Sequence, residues 1–176
     1  MLNNAPYTTN PFGIAATAPS GALELNPLST GPALLGGTGS TTPAAGNVGY
    51  NGTTTVASGS AVSLTTATSA NGISKAVAAG HYLVSYIANV TYTSATVVGT
   101  SPLQAGINTT SATLPAAAGV VSDNVTLSSG TETTSVCVPA QYVVLSSAGT
   151  IYGVVNATFT AGSAAAYGTL TIVQMP

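Results

Sequence analysis

The chain has 176 residues, of which 45% are apolar and 2% charged, with a formal net charge of −2. An ordinary soluble domain is about one quarter charged, whereas here the charges are Glu24, Lys75, Asp123 and Glu132, and arginine is absent. Nucleic-acid binding and attachment to anionic membranes both need clustered Lys or Arg, so this composition argues against both partners.

Residues 1–47 come first and differ from the rest. They hold six of the ten prolines and seven glycines, and no period of 2 or 3.6 persists. Proline removes backbone donors and glycine costs entropy, so neither a ladder nor a helix is expected. The large apolar side chains Tyr7, Phe12, Ile14, Leu23, Leu25, Leu28, Leu34 and Leu35, with Pro11 among them, are too many for a flexible linker. They predict an extended arm that docks on another surface. The start, MLNNAPYTTNPFG, lacks a basic region followed by an apolar one, so no secretory signal is expected.

From residue 48 to 176 the sequence predicts one all-β domain. β-branched residues abound there, and strong helix formers are scarce. Val62–Thr66 is a short strand, and Asn71-Gly72 reads as a turn. His81–Tyr92 is the clearest element. Tyr82, Val84, Tyr86, Ala88, Val90 and Tyr92 share one face, and Leu83, Ile87, Asn89 and Thr91 share the other. Apolar groups on both faces predict a central strand with core on one side and a neighbouring subunit on the other. Further strands are expected at 103–108, 120–127, 132–138, 142–145, 150–159 and 167–174, with Pro139 as a break and turns at 128–130, 146–149 and 161–164. Eight or nine short strands punctuated in this way predict a sandwich or jelly roll.

Chemistry is sparse. Catalysis wants paired carboxylates, or a histidine with an orienting partner. His81 and Asp123 formally complete a triad with any serine, a weak signal, and His81 reads as a surface or interface group. Cys137 is the only cysteine; between Val136 and Val138 it reads as a buried small apolar residue. There is no His/Cys cluster, acidic calcium loop or phosphate loop, so no catalytic residue, metal or cofactor is expected. Asn-x-Ser/Thr patterns occur at Asn51, Asn89, Asn108, Asn124 and Asn156, as a chain rich in these residues produces by composition.

Gly80-His81-Tyr82-Leu83-Val84-Ser85 and Gly168-Thr169-Leu170-Thr171-Ile172-Val173 resemble the central and final strands of the tumour-necrosis-factor-like jelly roll. That fold is shared with complement-type globular heads and low-charge heads of spore-surface filaments. The resemblance covers residues 55–176. It implies a homotrimer, with Tyr82, Tyr86, Tyr92, Tyr152, Tyr167, Leu170 and Ile172 at its core or interface. Similar trimers decorate the heads of tailed phages, where an N-terminal arm reaches across the major capsid protein. The expectation is therefore a capsid decoration, or cement, protein. It would be made in the host cytoplasm and carried on the outer surface of the virion. A receptor- or glycan-binding head of a phage fibre or surface filament is the alternative. A protein with so little charge is expected to bury its flanks against copies of itself or a larger particle.

Overall fold

The computed structural model describes residues 51–97, 103–124 and 130–175. Two antiparallel sheets pack face to face as an all-β sandwich. The larger is built from β1 (Asn51–Val56), β2 (Val62–Leu64), β4 (Gly80–Thr93), β8 (Thr131–Leu145) and β11 (Ser163–Met175). Its strand order is β1-β11-β4-β8, and β2 also pairs with β11. The smaller sheet has β3 (Ala70–Val77), β6 (Leu103–Asn108), β7 (Val120–Asp123) and β9 (Gly149–Ala157), in the order β3-β9-β6-β7. Short β5 (Thr96–Val97) and β10 (Phe159–Thr160) pair with each other. Each sheet draws strands from both halves of the domain, an interleaving compatible with a jelly roll.

The inner face of β4 builds the core. Tyr82, Val84, Tyr86, Ala88, Val90 and Tyr92 are all buried, as are Leu170 and Ile172 beside them on β11. Five of the seven residues assigned to a trimer core or interface (Tyr82, Tyr86, Tyr92, Leu170 and Ile172) thus lie in the core of a single chain. With no Trp in the chain and Phe159 the one Phe in this core, tyrosines supply most of its aromatic bulk, and they need room. A Cβ at Gly153 on β9 would lie 2.6 Å from Ile73 and 2.9 Å from the Tyr86 ring. Glycine there lets a tyrosine from one sheet press on the backbone of the other.

The local differences from expectation have backbone causes. Asn71-Gly72 is not a turn: it lies inside β3, where the register with β9 slips between Asn71 and Ile73. Gly72 is the extra residue of a bulge. Asn71 then ties down the β6–β7 loop, donating to Ser111 Oγ (2.7 Å) and accepting from the Ala112 N–H (2.6 Å). Pro139 does not end a strand either, because β8 runs through it. Val84 pairs with Gln141 and Tyr86 with Val138, so Pro139 and Ala140 together face Ser85. A bulge is where a residue without an N–H fits. It also shifts the phase: Val136 and Val138 face inward before it, Gln141, Val143 and Leu145 after it. β8 is a long edge strand, and a bulged proline discourages edge-to-edge pairing. Strand β1 was not anticipated, since of its inward positions Gly52, Thr54 and Val56 only the last is a large apolar residue. The strand expected at 120–127 ends at Asp123, and residues 125–127 lie outside the described residues.

Tyr82 donates its hydroxyl to Ala78 O at 2.8 Å, but the buried hydroxyls of Tyr86 and Tyr92 have no hydrogen-bond partner among the described residues. An unpaired buried hydroxyl costs about 1–3 kcal/mol. Tyr86→Phe is therefore expected to raise stability by about 1 kcal/mol in chemical denaturation. Burial pushes the Tyr86 phenol well above its ordinary value of 10.0. The folded chain then holds a proton that the unfolded chain releases, so stability is level below about pH 10 and falls above it. Tyr86→Phe should flatten that alkaline decline; an unchanged decline would assign it elsewhere.

Candidate assembly surface

Inward-facing core residues on β4 leave the alternate residues on the outer face of the larger sheet. The pairing register sets them in rows. Met175, His81 and Val144 form one row, and Val173, Leu83 and Tyr142 the next. Further along, Thr169, Ile87 and Cys137 lie side by side, followed by Tyr167, Asn89 and Ser135. Of the six exposed large apolar side chains among the described residues, five (Leu83, Ile87, Tyr142, Val144 and Met175) are on this face, with Tyr142 61%, Val144 53% and Ile87 47% exposed. His81 Nδ1 and the Tyr142 hydroxyl are hydrogen-bonded across the strands, with ring centroids 5.7 Å apart.

The rest of the face is hydroxyl- and amide-rich. Thr91 and Thr133 hydroxyls pair at 2.7 Å, Ser135 donates to Asn89 Oδ1 at 2.5 Å, and Thr55 and Thr169 meet at 3.3 Å. These lateral bonds satisfy polar groups within the face, so covering it leaves fewer of them unpaired. None of the described charges lies here. Lys75 is on β3, and Asp123 and Glu132 face the gap between the sheets. Four strands of this length span about 20 Å by about 40 Å. The resulting area of roughly 800 Å² is what one partner contributes to a standard-sized interface.

Comparison with known protein families, curated proteins and solved structures finds no match.

Of the other residues singled out in the sequence, Tyr167 is half-buried on this outer face, while Tyr152 is half-buried on the outer side of the smaller sheet. Cys137 is not buried. It is exposed on β8, because its neighbours Val136 and Val138 take the inward positions. His81 is exposed, and the Tyr142 hydroxyl is its hydrogen-bond partner. His81 lies nine residues along β4 from Val90, the partner of Thr134, which binds Asp123. The distance to Asp123 is thus about 30 Å, and His81 and Asp123 occupy different faces. Cys137 pairs with Ile87, six residues from His81, or about 20 Å. No group of three or more His, Cys, Asp or Glu converges among the described residues. The arm residues Tyr7, Pro11, Phe12, Ile14, Leu23, Leu25, Leu28, Leu34 and Leu35 lie outside the described residues. The sequence signal that located the surface was the apolar character of both faces of residues 81–92; Val144 and Met175 join it only through strand register.

Proposed function

We propose that this is a structural rather than a catalytic protein. Copies pack through the outer face of the larger sheet into a homotrimer, and the trimer decorates the outside of a viral shell of the tailed-phage type. The observation that carries the reading is the uncharged, apolar-ended face of β1, β11, β4 and β8. A second copy meets no like charge there, and every apolar side chain it covers adds to the hydrophobic driving force. Trimerisation places three N-terminal arms on one body. Each arm need bind only modestly, because once one is seated the others act at a high effective concentration. Contacts that bridge major capsid subunits then stabilise the shell by mass action. The absence of basic residues in the arm favours the outer surface over the genome side.

Deleting residues 1–40 spares the described fold, which begins at Asn51. The expected result is a trimer of unchanged melting temperature that no longer co-sediments with the heads the full chain binds. Undiminished binding would remove the arm from the account.

A glycan- or receptor-binding head is the second reading. Tyr142, the most exposed aromatic residue among the described residues, beside His81 favours it, since an exposed ring can stack on a sugar. Specific retention of the trimer on a glycan array, lost in Tyr142→Ala, would select this reading.

A further inference from the structure

The outer face of the larger sheet changes character along its length. At one end the rows Tyr167–Asn89–Ser135 and Ala165–Thr91–Thr133 carry mostly hydroxyls and an amide. At the other end the rows are Met175–His81–Val144 and Val173–Leu83–Tyr142. This second end holds Leu83, Tyr142, Val144 and Met175 of the exposed large apolar side chains, and among them sits the single histidine of the chain.

The surroundings of His81 contain no counter-charge among the described residues. Its register partners are Met175 on β11 and Val144 on β8, and Leu83 follows it on the same face of β4. From β8 the titratable group facing it is Tyr142, whose hydroxyl is hydrogen-bonded to Nδ1, with the two rings tilted by 40°. Cys137 on the same strand is about 20 Å away. From β11 the facing side chains are Met175 and Val173, and residue 176 lies outside the described residues. Glu132 is on the inner face of β8, Asp123 is about 30 Å away, and Lys75 shares the inner face of β3 with the buried Ile73 and Val77.

Histidine is the side chain that ordinarily changes charge between about pH 5 and 8. The neutral ring suits a covered apolar site, since Nδ1 shares a proton with the Tyr142 hydroxyl and the ring carbons add apolar area. The imidazolium carries a full charge and a donor at each nitrogen. The side chains of Met175, Val144, Val173 and Leu83 offer it no anion. An unpaired charge is costly to remove from water, so a group in this position sheds its proton on being covered.

We propose that His81 makes the assembly acid-labile: copies pack through this end of the face with His81 neutral, and protonation of the ring releases them as folded single chains. The inference rests on the reading that copies meet through this face. The packed chain binds fewer protons at His81 than the free chain. Packing is therefore strongest above the range in which free histidine titrates, near 6.5, and weakens as pH falls through it. Each copy that must lose one proton contributes up to about tenfold per pH unit, and three copies up to about a thousandfold. The fold is spared, because His81 is already exposed in the single chain.

Sedimentation equilibrium of the full chain at about pH 7.5 and about pH 5, with circular dichroism at both, spans this range. The expected result is three associated chains at the higher pH and single chains of unchanged spectrum at the lower, with the assembly recovered on return. His81→Gln and His81→Phe, which take up no proton, are expected to stay assembled at both. A wild-type assembly that persists unchanged at the lower pH would overturn the switch and leave the assembly reading standing. Dissociation of both variants alongside the wild type would assign the transition to another group, and loss of the β spectrum would assign it to unfolding; either result equally refutes the switch. A single chain already present at the higher pH would end the assembly reading and this inference with it.

Discussion

Leu83→Lys/Ile87→Lys is expected to convert the proposed trimer into a folded monomer. Both side chains are on the outer face of β4, 38% and 47% exposed in the single chain, so lysine replaces them without entering the core. In an assembly through this face each copy would carry two unpaired charges into an apolar contact. An uncompensated buried charge costs about 3–5 kcal/mol, and each 1.4 kcal/mol is about tenfold in affinity. The association constant should fall by at least about three orders of magnitude. Light scattering after gel filtration reads the mass, and thermal unfolding should be nearly unchanged. Cys137 supplies a second readout. It is the register neighbour of Ile87 on the same face, so its thiol should react slowly with alkylating reagents in the wild-type assembly and faster in the variant. If the double-lysine chain keeps the wild-type mass and thiol reactivity, the face is not the interface.

Gly168→Ala is expected to be the most damaging small substitution in the fold. Gly168 sits mid-way along β11 at φ +156°, opposite Ala88 of β4 and Val56 of β1. A Cβ there would run into the backbone carbonyl oxygen of Ile87. That oxygen belongs to the central ladder and has no side-chain torsion with which to move away. Relief requires prising β11 from β4, the two strands that carry Leu170, Ile172 and the tyrosine row. A loss of about 3 kcal/mol or more is expected, against well under 1 kcal/mol for Gly59→Ala, where a Cβ meets nothing within 4 Å. Urea denaturation of the two variants compares them directly. Near-equal midpoints would show that β11 and β4 are not locked in this register.

The parts of this architecture legible in the sequence are those governed by period-2 burial. β4 carries large groups at every second position, and β6 falls at Leu103–Asn108 as its pattern implies. What escaped sequence reading was decided by pairing. β1 shows little hydrophobic alternation because two of its three inward positions, Gly52 and Thr54, are small or polar. It is a strand because β11 offers it a ladder. Asn71-Gly72 and Pro139 have the local chemistry of turns and breaks, but a bulge uses the same chemistry inside a strand, and sequence alone does not separate the two. Cys137 followed its local run into a mistaken burial, since alternation says which residues share a face but not which face is inside.

The apolar outer face of the larger sheet was half legible in the same way. Leu83 and Ile87 are visible as apolar residues on the wrong side of a core strand. Tyr142, Val144, Val173 and Met175 come from two other strands and join them only through register.

Sedimentation equilibrium of the unmodified full-length chain, across a wide range of concentration at near-neutral pH, tests the central claim most directly. The expected result is a species of three chains that persists on dilution to micromolar concentration. A single chain at every concentration, with the outer face of the larger sheet left open to solvent, would contradict it.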